Sequence, residues 1–276
     1  NGLGVAAFLL LLGLCIVPFA KLLLYAGILK LCAALLGVSL VLKRYSMIGD
    51  GLSHVGFGAL AVATALGMAP MAVTIPVVVA AAFLLLRLSS TGRLKGDAAI
   101  AMISTGALAV GVIVLSLSTG MTSDVNNYLF GSMLAMSGED VTLSVVLAAA
   151  VLMLFVLFYR RIFAVTFDET FARATGGQAE ACNMLLALLT AVTIVLGMRV
   201  MGTMLISSLI IFPALTAMRV CRSFKSVTLC AAAVSVVCFF VGLCASYLLS
   251  TAAGATVVVA NILAFLIFAA VGRLRG

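Results

Sequence analysis

The chain has 276 residues, of which 65% are hydrophobic and 9% charged. A soluble domain of this size carries about a quarter charged residues, so there is too little polar surface here to cover a globule in water. The formal charge of +8 does not point to nucleic acid, because the basic residues fall in short clusters between long apolar runs.

Those runs recur along the whole length, and a mean hydropathy of +1.37 fits runs long enough to cross a bilayer as helices of about 20 residues. The alternating period of a β-barrel is missing. The expected fold is therefore all-α: one polytopic transmembrane helical bundle over residues 1–276, with no linker and no internal repeat. The seven cysteines form no CxxC pair and lie mostly in apolar runs, which argues against a disulfide framework or a thiolate metal site.

A first apolar run covers Leu3 to Phe19. It lacks the basic start and small-residue cleavage site of a signal peptide, and residues 1–17 read as an extra span or as a segment foreign to the domain. A second run covers Leu22 to Leu42 and ends at Lys43-Arg44. Asp50 and His54, the lone histidine, then open a segment that reaches Leu66, with a turn at Gly67 to Pro70. Met71 to Leu86 returns to an inner loop, Arg87 to Lys95. Ala98 to Leu117 goes out, and Ser118 to Asp140 is an outer segment in which Asn127 to Met136 reads as a short or re-entrant helix. Val141 to Tyr159 comes back to a structured inner loop, Arg160 to Gly177.

The pairs Ala181 to Met198 with Met201 to Met218, turning near Arg199, and Val227 to Leu249 with Thr256 to Val271 complete the chain. Basic clusters at Lys43-Arg44, Arg87 to Lys95, Arg160 to Arg173, Arg219 to Lys225 and Arg273 to Arg275 mark one side as cytoplasmic. The total is about eight or nine spans. Pro213 is expected to kink or break its helix, and a structural kink and a pathway element are equally compatible with it.

Asp50 and His54 carry the chemistry. A spacing of four sets both side chains on one helix face. An acid at a helix centre costs about 2.5–3.5 kcal/mol on insertion scales, so it needs a partner, a cavity or a place near the interface. One reading has Asp50 capping a helix near the headgroups and His54 bonded to a carbonyl. The other is a site for a proton or for zinc, manganese or ferrous iron, of which one carboxylate and one imidazole form an incomplete half. The loop Phe167 to Gly177 is the second candidate. Phe167, Phe171 and Ala174 share a face at helical spacing, Asp168 and Glu169 suit a helix N-terminus, and Gly176 suits its end. It reads as a short amphipathic helix, lying on lipid or docking into a protein groove. Its two acids favour protein. Asp124, Glu139 and Asp140 read as solvated outer charges.

The chain carries no HExxH, GxSxG or GxxxxGK[ST] motif, so it reads as a non-enzyme, and any ATP hydrolysis must come from a partner. Leu36 to His54 contains Gly49-Asp50-Gly51-Leu52-Ser53-His54. This run, with Asp97-Ala98-Ala99-Ile100, Tyr128 to Ser132, Phe167-Asp168-Glu169, Phe171-Ala172-Arg173, Met204 to Ala214 and Gly254 to Val258, resembles the membrane permease of bacterial ABC importers for zinc and manganese.

The resemblance implies a homodimeric permease in the bacterial cytoplasmic membrane, bound to two cytoplasmic ATPase subunits and fed by an extracytoplasmic metal-binding protein. It places Asp50 and His54 as ligands for the transported divalent metal, with no permanently bound cofactor. It also makes Phe167, Asp168, Glu169, Phe171, Ala172, Arg173 and Gly176 a coupling helix that enters the ATPase. Ser53, Ser207, Ser208 and Pro213 are candidate pathway residues. A proton-coupled secondary carrier, a permease for metal chelates and a membrane-embedded metal enzyme are the competing expectations.

Overall fold

The computed structural model describes residues 26–43, 45–91, 96–118, 138–175 and 178–275, and every regular element among them is helical. Inside a bilayer the backbone has no water to bond, so each peptide group must be satisfied within its own helix or in a closed barrel. The aliphatic and alanine-rich runs take the first solution. In chain order the helices are α1 (Ala26–Leu42), α2 (Ser46–Ala65), α3 (Pro70–Thr91), α4 (Gly96–Leu117), α5 (Gly138–Leu157), α6 (Tyr159–Phe167), α7 (Glu169–Ala174), α8 (Ala179–Met201), α9 (Thr203–Met218), α10 (Phe224–Leu249) and α11 (Ala253–Arg275).

Five of them (α3, α4, α8, α10 and α11) are long and apolar enough to cross a membrane, and α5 with α6 adds a sixth if that bent pair is one span. The expected eight or nine spans are not reached by this measure. α1 and α9 are apolar but shorter. α2 has the length, but its composition is diluted by glycine, serine, Asp50 and His54. The run Leu3 to Phe19 and the short helix expected at Asn127 to Met136 lie outside the described residues.

Three connecting segments differ from expectation. α3 carries its helix past Arg87 as far as Thr91. The loop after α5 holds two helices, and α6 departs from α5 at an angle of 67°. α8 continues through Arg199, so the turn into α9 falls instead at Gly202, whose φ of +86° only glycine adopts freely. Pro213 lies inside α9 without breaking it.

α2 is enclosed by α3, α4, α8 and α9. Lipid offers helices no hydrophobic reason to associate, so close backbone approach must supply the contact. Gly58 provides it: a Cβ there would stand 2.5 Å from the carbonyl oxygen of Ala107 on α4. α8 is the most enclosed of the long spans, with 72% of its apolar window buried against 17% for α11. The core thus gathers around α2, α8 and α9, which are the helices that position the candidate site.

Candidate metal site

Asp50 lies in the second turn of α2 and His54 one turn further on. Their side chains are 44% and 17% exposed, and Asp50 Oδ2 stands 3.7 Å from His54 Nε2. That separation is too long for a hydrogen bond. Ser207 on α9 donates its hydroxyl to Asp50 Oδ1 at 3.2 Å. His54 Nδ1 is buried with no hydrogen-bond partner among the described residues. Ser53 is fully buried, and its hydroxyl donates to the main-chain oxygen of Asp50 at 2.7 Å, within the helix. Ser208 is half-buried beside Ser207. Pro213 is buried about 9 Å further along the α9 axis, at 1.5 Å per residue. The structure therefore brings Asp50, His54 and Ser207 together and leaves Pro213 apart.

The interfacial reading of the pair finds no support in this geometry. The N-cap of α2 is Tyr45, not Asp50, and the buried Nδ1 meets no carbonyl. A gap of 3.7 Å between an oxygen and a nitrogen suits a shared cation. An ion about 2.1 Å from each would see them at an angle of roughly 120°, close to tetrahedral. Ser207 fixes one carboxylate oxygen and leaves the other turned to the imidazole. No group of three or more histidine, cysteine, aspartate or glutamate side chains capable of holding a metal occurs among the described residues. One chain thus offers two protein ligands, half of what zinc normally takes.

A second polar centre lies at the basic end of the bundle. Lys43, just past α1, donates to Glu169 Oε2 at 3.3 Å and to the side-chain oxygen of Asn183 on α8. Arg173 donates to Glu169 Oε1 at 2.6 Å. Asp168 is the N-cap of α7, accepting from the Phe171 N–H at 2.9 Å and from the Thr170 hydroxyl at 2.6 Å. Those two bonds hold its carboxyl below the ordinary aspartate value. Burial pushes the Glu169 carboxyl up, but hydrogen bonds from Asn183, Lys43 and Arg173 outweigh it and the net direction is down. Burial draws the Lys43 ammonium down, and Glu169 offsets part of that shift.

The segment expected as one amphipathic helix is built in two parts. Phe167 closes α6 and packs on Phe224, with ring centroids 5.8 Å apart, while α7 spans only Glu169–Ala174. The reason is Asp168: its extended backbone interrupts the helix so that its side chain can cap the next one. Phe167 and Phe171 are exposed and Ala172 is buried, so α7 presents an aromatic knob on an anchored base. Gly176 lies outside the described residues.

A helical bundle with a paired carboxylate and imidazole on an enclosed helix, and a capped knob at its basic end, has the character of a membrane protein subunit. Residues 18–272 match the ABC 3 transport family, and the chain belongs to that family. It is 30% identical over 240 residues to the high-affinity zinc uptake system membrane protein ZnuB of Haemophilus influenzae, covering 87% of this chain and 92% of ZnuB. It is 28% identical to the manganese import system permease protein ScaB of Streptococcus gordonii, covering 88% and 87% of the two chains. Among solved structures, PsaBC from Streptococcus pneumoniae in complex with Fab matches with a TM-score of 0.81 at 28% identity, covering 90% of each chain.

Proposed function

We propose that the chain is the membrane permease of an ATP-driven importer for divalent metal ions of the zinc–manganese class in a bacterial cytoplasmic membrane. The carrying observation is the Asp50–His54 pair on α2, held 3.7 Å apart with an unpartnered imidazole nitrogen. Family membership and the zinc and manganese roles in the names of the relatives support it.

Two copies of the chain form the pathway, each supplying one carboxylate and one imidazole. A metal-binding protein delivers the ion from outside. Partial coordination suits passage, because an ion must be bound well enough to enter and weakly enough to leave. Two cytoplasmic ATPase subunits receive the α7 knobs, and their closure and opening on ATP alternates access to the site. Ser207 keeps the Asp50 carboxylate turned toward the ion.

Uptake of zinc and of manganese by cells carrying Asp50→Ala or His54→Ala tests the reading. Each substitution should lower uptake at least tenfold while the protein still reaches the membrane. Wild-type uptake in both variants would remove the site. Uptake driven by a proton gradient without an ATPase subunit would replace the importer with a secondary carrier.

A further inference from the structure

Lys43 sits where three parts of the chain meet. It is the first residue after α1, its N–H donating to Ser39 O at 3.0 Å, and Tyr45 N–H reaches back to Leu40 O at 2.8 Å. α2 starts at Ser46, so Lys43 is bound into the short corner that aims the Asp50 helix. Its side chain is only 7% exposed. The ammonium crosses 126 residues of sequence to Glu169, the first residue of α7, and 140 residues to Asn183, in the second turn of α8. Both oxygens of Glu169 are engaged: one takes Lys43 at 3.3 Å, and the other takes Arg173 at 2.6 Å. Beside the ammonium is a cavity of about 20 Å³, lined in part by Ser39, Tyr45, Ile48 and Thr190. That is room for about one water.

A buried ion pair is a poor device for stability, since desolvation cancels much of its Coulomb gain. Its value lies in direction and register. Here it is a direct side-chain link between α7 and the residue just past α1. α7 also packs on α6 and α8.

We propose that Lys43 is a positioning residue that transmits displacement of α7 to α2. When α7 moves, Glu169 carries the ammonium with it, the corner at Lys43 to Tyr45 follows, and Asp50 and His54 shift relative to Ser207. This rests on the transport reading above. It adds a residue that touches neither metal nor nucleotide yet sets how much transport each hydrolysis event produces. Mere contiguity is no warrant for coupling, so the measurement must separate linkage from stiffness.

The test is the permease assembled with its ATPase subunit in liposomes, with manganese uptake and ATP hydrolysis read in the same sample. Lys43→Gln should keep hydrolysis within about twofold and lower metal moved per ATP at least fivefold; Glu169→Gln, which lies on the docking helix itself, should lower the same ratio at least fivefold at whatever hydrolysis rate remains. Lys43→Arg, which keeps a cation within reach of Glu169, should restore most of that ratio. Glu169 is part-exposed, so its variant carries the prediction if Lys43→Gln assembles poorly. An unchanged metal-to-ATP ratio in both glutamine variants overturns the proposal. So does a parallel fall of both rates, which marks a structural brace. A wild-type complex that hydrolyses ATP without moving metal overturns the transport reading itself, and this one with it.

Discussion

The two polar centres of this molecule are built on opposite terms. Around Lys43, Glu169, Arg173 and Asn183 every charged group has found a partner, and one carboxylate serves two cations. Around Asp50 and His54 the groups are less engaged: one imidazole nitrogen is buried without a partner among the described residues, and the carboxylate and imidazole stop short of bonding to each other. A saturated network transmits position, because nothing in it gains by rearranging. An unsaturated pair is free to accept a passing charge and to release it. The difference separates a link from a site in the same helical bundle, and it gives each centre its own vulnerability.

The largest effect should come from packing. Gly58→Val drives a side chain into the Ala107 carbonyl, and overpacking of this kind costs about 1–3 kcal/mol. It should lower the aggregation temperature of the purified protein by several degrees and displace α2. The Lys43 network should persist, with the Phe171 amide still protected from hydrogen exchange. Equal loss of protection at both centres would break the comparison, since the two would then be one cooperative unit.

Ser207→Ala should act less, and only at the site. It removes one hydrogen bond to a part-exposed carboxylate, worth about 1 kcal/mol, or roughly a fivefold rise in the metal concentration needed for half-maximal uptake. The maximal rate should stay near wild type. No change at all would make Ser207 idle, and a loss equal to that of Asp50→Ala would make it a ligand in its own right.

The smallest effect is a pH dependence confined to α7. The Asp168 carboxyl lies below its unfolded value of about 4. Its contribution to the helix is therefore complete above about pH 4 and is lost as pH falls through the lower folded value. Protection of the Phe171 amide should drop across that window in the wild type and show no such step in Asp168→Asn. A step that survives the substitution would assign the titration to Glu169, which is depressed in the same direction.

Much of the site was legible because its signal is local. The spacing of Asp50 and His54 puts them on one face of any helix, and a lone histidine in so apolar a chain draws the eye. Ser207 entered through a motif and not through any pattern of its own, since its partner lies 157 residues away. Lys43 was legible only as a topological charge. Nothing in a basic pair at the end of a span foretells a carboxylate 126 residues later. Asn183, a solitary amide in an apolar helix, was the overlooked hint, because a buried amide needs a partner. Phe167 was set on the wrong helix, as hydrophobic spacing runs straight through Asp168 and does not register that a cap must leave the helix to serve it. Pro213 was expected to end or kink its helix. α9 is not broken there and carries on through it as far as Met218.

α2 has a consequence for how the protein is made. It is 20 residues long, yet its acid, histidine, serines and four glycines keep it out of the set of helices apolar enough to cross a bilayer by their own composition. A ribosome that has delivered only α1 and α2 offers this helix no companion for Asp50 and no close contact for Gly58, whose partners on α9 and α4 emerge later. α2 must wait at the membrane surface, or enter only with its followers. The helix that carries Asp50 and His54 thus settles only after its partners on α4 and α9 have been made.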